Sequence, residues 1–184
     1  MTREEALKLL KEHIKEKNLI NHSLETEAVM KGLARYFNED EELWGIVGLL
    51  HDIDYIQTKD NPKEHGLIAT NEILKGKLPE EALYAIAAHN MEGTGVVPKS
   101  KLDYALRCGE TITGLIHANA LIRPQKMKGM KPKSVKKKMK DKSFAANVSR
   151  ERILECEKIG LDLNKFIEIA ITEISAIAKD VDLE

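Results

Sequence analysis

The chain has 184 residues, 42% hydrophobic and 32% charged, which is enough for a real core under a soluble surface and excludes disorder, a collagen-like repeat or a stapled mini-protein. Its net charge is −1, but Arg123 to Lys142 holds ten basic residues and one acid, Asp141, so that window carries +9 and the other 164 residues carry −10. The longest uncharged apolar run, Leu43 to Leu50, is far short of the ~18 residues of a membrane span, and Thr-Arg-Glu-Glu after Met1 does not open a secretory leader, so the cytoplasm is the expected location.

Apolar residues recur at helical spacing nearly everywhere and no stretch alternates as a strand would. The expected fold class is all-α, a single-domain helical bundle over residues 1–184. A first amphipathic helix is predicted over about Thr2–Lys17, with Ala6, Leu7, Leu10 and Ile14 on one face. A second is predicted to begin near Asn21 or Ser23, both good N-caps, and to carry Leu24, Ala28, Leu33, Ala34 and Phe37. The third, about Glu41–Asp54, is almost wholly apolar between its ends and is expected at the centre. Asn61-Pro62 reads as a cap with proline at the first helical position, opening a helix that ends at Gly76. Pro79-Glu80-Glu81 opens another, which reaches His89-Asn90 and stops at Gly93-Thr94-Gly95. A long helix follows over about Ser100–Ile122. Residues 123–142, with Pro124, Gly129 and Pro132, read as a lysine-rich lid or loop holding at most one short helix around Ser134–Asp141. C-terminal helices fill 149–180: Ser149 caps one ending at Gly160, and Leu163–Lys179 closes the chain. Cys108 and Cys156 belong to no C-x-x-C pair and are expected as buried free thiols.

A concentrated basic segment on an acidic chain points to an anion. Arg123, Lys133 and Lys137 are candidates to close over phosphate groups and bind substrate. Nucleic acid is the less favoured partner, because only Phe144 lies near the segment for base stacking and aromatics are 4% of the chain. No membrane partner is expected.

His51-Asp52 ends an apolar helix, and an adjacent ionisable pair there is costly to bury unless its charge is compensated. A divalent metal does this, since imidazole and carboxylate are both good ligands. The pair alone reads more readily as a satisfied core histidine beside a turn residue. It stands in an ordered set, however: His22 in Asn-His-Ser-Leu-Glu, His51-Asp52 in Leu-Leu-His-Asp-Ile-Asp, His65 in Lys-Glu-His-Gly and His89 in Ala-Ala-His-Asn.

In that order, over roughly residues 20–122, the sequence resembles the HD-domain metal-dependent phosphohydrolases. Their signature is a histidine opening one helix, a His-Asp pair ending the next, two more histidines, then an acid. The closing acid is usually an aspartate in a pattern like Ala-Asp-x-x-Thr-Gly. Here Cys108-Gly109-Glu110-Thr111-Ile112-Thr113-Gly114 puts Glu110 at that place, one methylene longer. Asp103, seven residues earlier on nearly the same helix face, is the alternative.

The resemblance implies an HD-type bundle and one or two divalent metal ions (Mn, Fe, Co, Mg or Zn) held by His22, His51, Asp52, His65, His89 and Glu110. It implies hydrolysis of a phosphoester of a small molecule, a nucleotide or dinucleotide, by a metal-activated water, with Asp52, His65 and His89 as catalytic residues. With two ions, Asp52 bridges them. With one, His65 and His89 donate hydrogen bonds to the phosphate. His117 lies two turns past Glu110, roughly 10.5 Å along the same face, and suits the distal part of a substrate. Asp54 and Asn90 are candidates to support the ligand imidazoles, and are equally readable as ordinary polar residues at helix C-termini. Two alternatives share these features: a di-iron oxygenase on the same ligand order, and a non-catalytic module that binds nucleotides or RNA through the lysine-rich segment.

Overall fold

A computed structural model describes residues 1–184, and its regular elements are all helices. Helix α1 (Arg3–His13) starts in a capping box: the Thr2 hydroxyl accepts from the Glu5 N–H, and the Glu5 carboxylate accepts from the Thr2 N–H. It stops before the predicted Lys17 because the chain turns extended at Ile14, which is buried. Helix α2 (Lys17–Phe37) begins ahead of Asn21 and Ser23, so neither is a cap. Both are buried inside the helix, and the Asn21 amide donates to the Val181 carbonyl at the other end of the chain. A polar residue spent on a tertiary contact looks, in sequence, like a helix start.

Helix α3 (Glu41–Leu50) is capped by Asp40, which accepts from the Leu43 N–H, and Trp44 to Leu50 are all buried. It ends at Leu50 rather than Asp54; residues 51–54 form a turn leading into the short α4 (Tyr55–Thr58). Asn61-Pro62 does not open a helix. Residues 62–66 are turns, helical structure starts at Leu67, and its second half, Ala69–Ile73, widens into a π turn. The cap is instead the buried Asp54 carboxylate, whose Oδ2 accepts from the Gly66 and Ala69 N–H groups at 2.8 Å each.

Helices α5 (Glu80–His89) and α6 (Met91–Thr94) follow, the latter closed by left-handed Gly95. Helix α7 (Lys101–Leu121) has Ser100 and Asp103 as a capping box. The lysine-rich stretch holds α8 (Pro132–Lys140), anchored by buried Met127, Met130 and Val135. Its C-terminal end is tied down by the Arg150 guanidinium, which donates to the carbonyls of Lys138, Asp141 and Phe144. Helix α9 (Arg150–Leu154) continues as a 3₁₀ turn to Ile159, and α10 (Leu163–Ala176) ends three residues before the predicted Lys179.

Helix α2 packs on α3, α7 and α10, while α5 packs on α3 and α7. One contiguous apolar cluster runs from Ala6 to Leu183 and includes both cysteines, which are free thiols. The approach of α3 to α2 is set at Gly48, where a Cβ would sit 2.9 Å from the Thr26 carbonyl oxygen. That closeness brings His51, at the end of α3, against His22 on α2. No helix is long and apolar enough to cross a membrane.

Candidate metal centre

Two groups of donors meet at one carboxylate. His22, His51 and Asp52 form the first, and Asp52, His65 and His89 the second. The Nε2 atoms of His51, His65 and His89 lie 3.3, 3.1 and 3.4 Å from Asp52 Oδ1, and that of His22 lies 3.6 Å from Oδ2. Within each group the two Nε2 atoms are 3.2 Å (His22–His51) and 3.1 Å (His65–His89) apart. Such separations are edge lengths of a coordination shell whose bonds are ~2.0–2.2 Å long.

The opposite ring nitrogens fix the tautomers. His51 Nδ1–H donates to the Gly48 carbonyl at 2.8 Å, and His89 Nδ1–H to the Ile86 carbonyl at 2.5 Å. His65 Nδ1–H donates to Asp54 Oδ1 at 2.9 Å. The Thr113 hydroxyl gives its proton to the Glu110 carbonyl, so at 2.9 Å from His22 Nδ1 it accepts. All four rings are therefore held with Nδ1 turned outward and Nε2, the nitrogen free to ligate, facing Asp52. Four ring nitrogens and a carboxylate directed at one space repel one another unless a cation, a proton or a metal ion, sits among them. The donor set fits a divalent ion.

The electrostatics agree. Burial drives His51 down to about 3 despite the charge of Asp52, so this ring is neutral. Burial opposes charge on His65 too, but its hydrogen bonds to Asp52 and Asp54 outweigh that and lift it to about 10. Burial pushes the Asp52 carboxyl upward, yet the ring of imidazoles around it, with hydrogen bonds from His65 and His89, holds it well below the usual carboxylate range. In the metal-free protein a proton on His65 Nε2 thus stands where a metal would neutralise Asp52.

The remaining expected residues divide. Asp54, fully buried, bonds His65 directly. Asn90 acts on the backbone instead: its amide donates to the Pro62 and His65 carbonyls and pins the loop that carries His65. Glu110 joins neither donor group. Its Oε1 accepts from the Thr111 hydroxyl at 2.6 Å and faces the Arg152 guanidinium at 3.5 Å, though it lines the same cavity as His22. Asp103, the alternative, joins neither group: its Oδ2 accepts from the Lys99 and Ser100 N–H groups at the start of α7, and it lines a different cavity from His22.

His117 donates through Nδ1 to the buried Glu25 carboxylate at 2.7 Å; that hydrogen bond raises its pKa, and the ring does not line the cavity. Arg123 is folded onto its own loop, bonded to the Lys126 and Lys128 carbonyls. Lys133 and Lys137 are exposed on α8, and none of these three cations lines the cavity beside His22.

The cation that does line it is Arg152, which sequence reasoning missed. So was Arg107, a wholly buried arginine paired with Glu92 and Glu155, whose guanidinium also donates to the His89 carbonyl at 2.9 Å and fixes the end of α5. Neither carries a local signal, since an arginine in a helical pattern reads as surface. Thr113 did have one, the Thr-Gly that follows Glu110.

A family model described as HD domain matches residues 19–122. Among curated proteins, Ribonuclease Y of Desulfotalea psychrophila is 30% identical over 97 residues, which make up 53% of this chain and 18% of that protein. Ribonuclease Y of Oleidesulfovibrio alaskensis is 29% identical over 97 residues, with the same shares. The match thus spans less than a fifth of the length of these relatives. No solved structure matches.

Proposed function

The chain belongs to the HD domain family, and on that premise we propose that it is a metal-dependent phosphohydrolase acting on a phosphoester of a small molecule, with a nucleotide or dinucleotide as the expected class. The observation that carries this reading is the convergence of four Nε2 atoms on Asp52, each ring anchored through its Nδ1. His22 and His51 would hold one divalent ion and His65 and His89 a second, with Asp52 common to both donor groups, and Glu110, on the wall of the same cavity, would be the further acid available to them. When bound, the ions supply a water of lowered pKa and positive charge for the phosphoryl oxygens. The chain's own residues keep this arrangement fixed. Asp54, Thr113 and two helix carbonyls hold the outward protons of the rings, and Asn90 and Arg107 hold the backbone that presents His65 and His89. Because these partners are already in place, little reorganisation is required at the moment of reaction.

A second reading, that the phosphoester belongs to RNA, is favoured by the similarity to two proteins named Ribonuclease Y and by the +9 segment. One experiment separates these. Nucleotides, sugar phosphates and short RNAs are assayed with Mn, Co, Fe, Mg and Zn in turn. Turnover of a small phosphoester supports the first reading, and turnover confined to RNA the second. Bound metal without turnover of any phosphoester refutes both, and oxygen consumption by the iron-loaded protein would then point to an oxygenase.

A further inference from the structure

A cavity of about 460 Å³ opens beside His22, and Val148 is its only apolar lining residue. Its other walls include Glu92, Glu110, Asn147, Ser149 and Arg152. Arg152 is the one arginine or lysine among them. We propose that Arg152 is the phosphate-capture residue of this centre, held in reserve by Glu92 and Glu110 until metal binding draws Glu110 away. The proposal rests on the hydrolase reading above and assigns the part of the site that receives the substrate's anion.

The geometry carries it in three steps. First, Arg152 is presented rather than merely nearby: its N–H is capped by the Ser149 hydroxyl at 3.2 Å, and its side chain is one-quarter exposed. Second, its guanidinium fork is occupied by two carboxylates. Nε is 3.3 Å from Glu92 Oε1, one terminal nitrogen bonds Glu92 Oε2, and the other reaches Glu110 Oε1 only at 3.5 Å. A guanidinium fork suits phosphate as well as carboxylate, so these acids occupy the place an anion would take.

Third, the two acids hold it unequally. Glu92 has a second partner in buried Arg107, at 3.0 Å, which anchors it independently of Arg152. The Glu110 contact lies at the outer limit of a hydrogen bond. Once Glu110 turns to an ion, a terminal nitrogen of Arg152 faces the cavity with no carboxylate on it. Metal loading and anion capture are then coupled through one side chain. The hydrogen-bonding walls suit a phosphoester with a hydroxylated body better than one with an aromatic body.

The test uses the full Mn-loaded chain, titrated calorimetrically with inorganic phosphate. Arg152→Gln is expected to weaken phosphate binding by about tenfold or more, the loss of a charge-assisted bond, with Mn stoichiometry unchanged. Arg152→Lys, which keeps the charge but not the fork, falls between. Glu92→Gln is expected to strengthen phosphate binding, because it removes the competing carboxylate; a merely structural bridge predicts the opposite. Should Arg152→Gln not fold, the lysine and Glu92 variants decide. Unchanged phosphate affinity in Arg152→Gln, or weakened affinity in Glu92→Gln, overturns the assignment while leaving the hydrolase reading intact if turnover persists. An unmutated protein that binds Mn but neither binds phosphate nor turns over any phosphoester overturns both. Ribose 5-phosphate should also displace phosphate more strongly than phenyl phosphate, and the reverse order removes the inference about the substrate body.

Discussion

Replacing Asp54 by asparagine isolates the control of one ligand's tautomer. Asp54 is fully buried and accepts three hydrogen bonds, from His65 Nδ1 at 2.9 Å and from the Gly66 and Ala69 N–H groups at 2.8 Å each. Asparagine has the same shape but one acceptor end. If its NH₂ faced the two backbone donors, two buried N–H groups would lose their acceptor at about 1–3 kcal/mol each, so the NH₂ faces His65 instead. The ring then accepts at Nδ1, and its proton moves to Nε2, the atom aimed at Asp52. Loss of the formal charge from three bonds costs the metal-free fold about 2–3 kcal/mol, from the difference between charged and neutral hydrogen bonds. Metal affinity should fall about 10–100-fold, or roughly 1.4–2.8 kcal/mol, with stoichiometry moving from two toward one. Calorimetric Mn titration gives the affinity, and imidazole ¹⁵N shifts report the proton's position. Mn affinity within twofold of the unmutated protein, with His65 still protonated at Nδ1, would refute the reasoning.

Asp52→Ala removes the anion shared by both donor groups, so metal analysis of the purified variant should find neither ion and no activity should remain. Gly48→Ala places a Cβ against the Thr26 carbonyl and should destabilise the fold by about 1–3 kcal/mol while loosening the His22–His51 pair, measured by thermal melting and Mn titration. In the metal-free protein His65 is raised to about 10 from its ordinary 6.5, so its contribution is fully present below pH 6.5 and is lost as pH rises toward 10. Melting temperature after chelation should therefore decline across that window, and Mn binding near pH 8 should release a proton, seen as a buffer-dependent binding heat. Neutralising Lys136, Lys137 and Lys138 together should leave metal content and small-phosphoester turnover within about twofold, because none lines the cavity; a steep loss of RNA binding in the same variant would show which anion the segment serves.

The order of the histidines was legible because it is written in residue identities along the chain, and His51 and His89 end the apolar helices α3 and α5, whereas His22 lies inside α2 and His65 in the turn before Leu67. The all-α class and the long α7 followed from the same periodicity. What the sequence hid depends on distant partners. Asn21 and Ser23 imitate caps because their burial is decided by the far end of the chain and the packing of α2. The helix after Asn61-Pro62 was displaced because its cap is Asp54, outside the local window. Arg107 and Arg152 became visible only once α5, α7 and α9 were folded around Glu92. The lysine-rich run drew attention through its charge, but charge density does not say which side chains face the cavity.

His51 and His89 each donate to the carbonyl three residues back, at the ends of α3 and α5, where helix carbonyls lack a partner of their own. Each ring is thus a plug for a fraying helix as well as a ligand, and its orientation is settled as soon as its own helix forms. His22 and His65 have no such local tether; they wait for Thr113, 91 residues away, and for Asp54. Two of the four rings are therefore oriented by their own helix ends, His65 by a loop contact 11 residues away and His22 by closure of the bundle. An alanine at position 51 or 89 should unravel a helix terminus as well as remove a ligand, whereas one at position 22 should remove a ligand alone. Comparing the two kinds of variant in chelator separates the architectural share of each histidine from its share in holding metal.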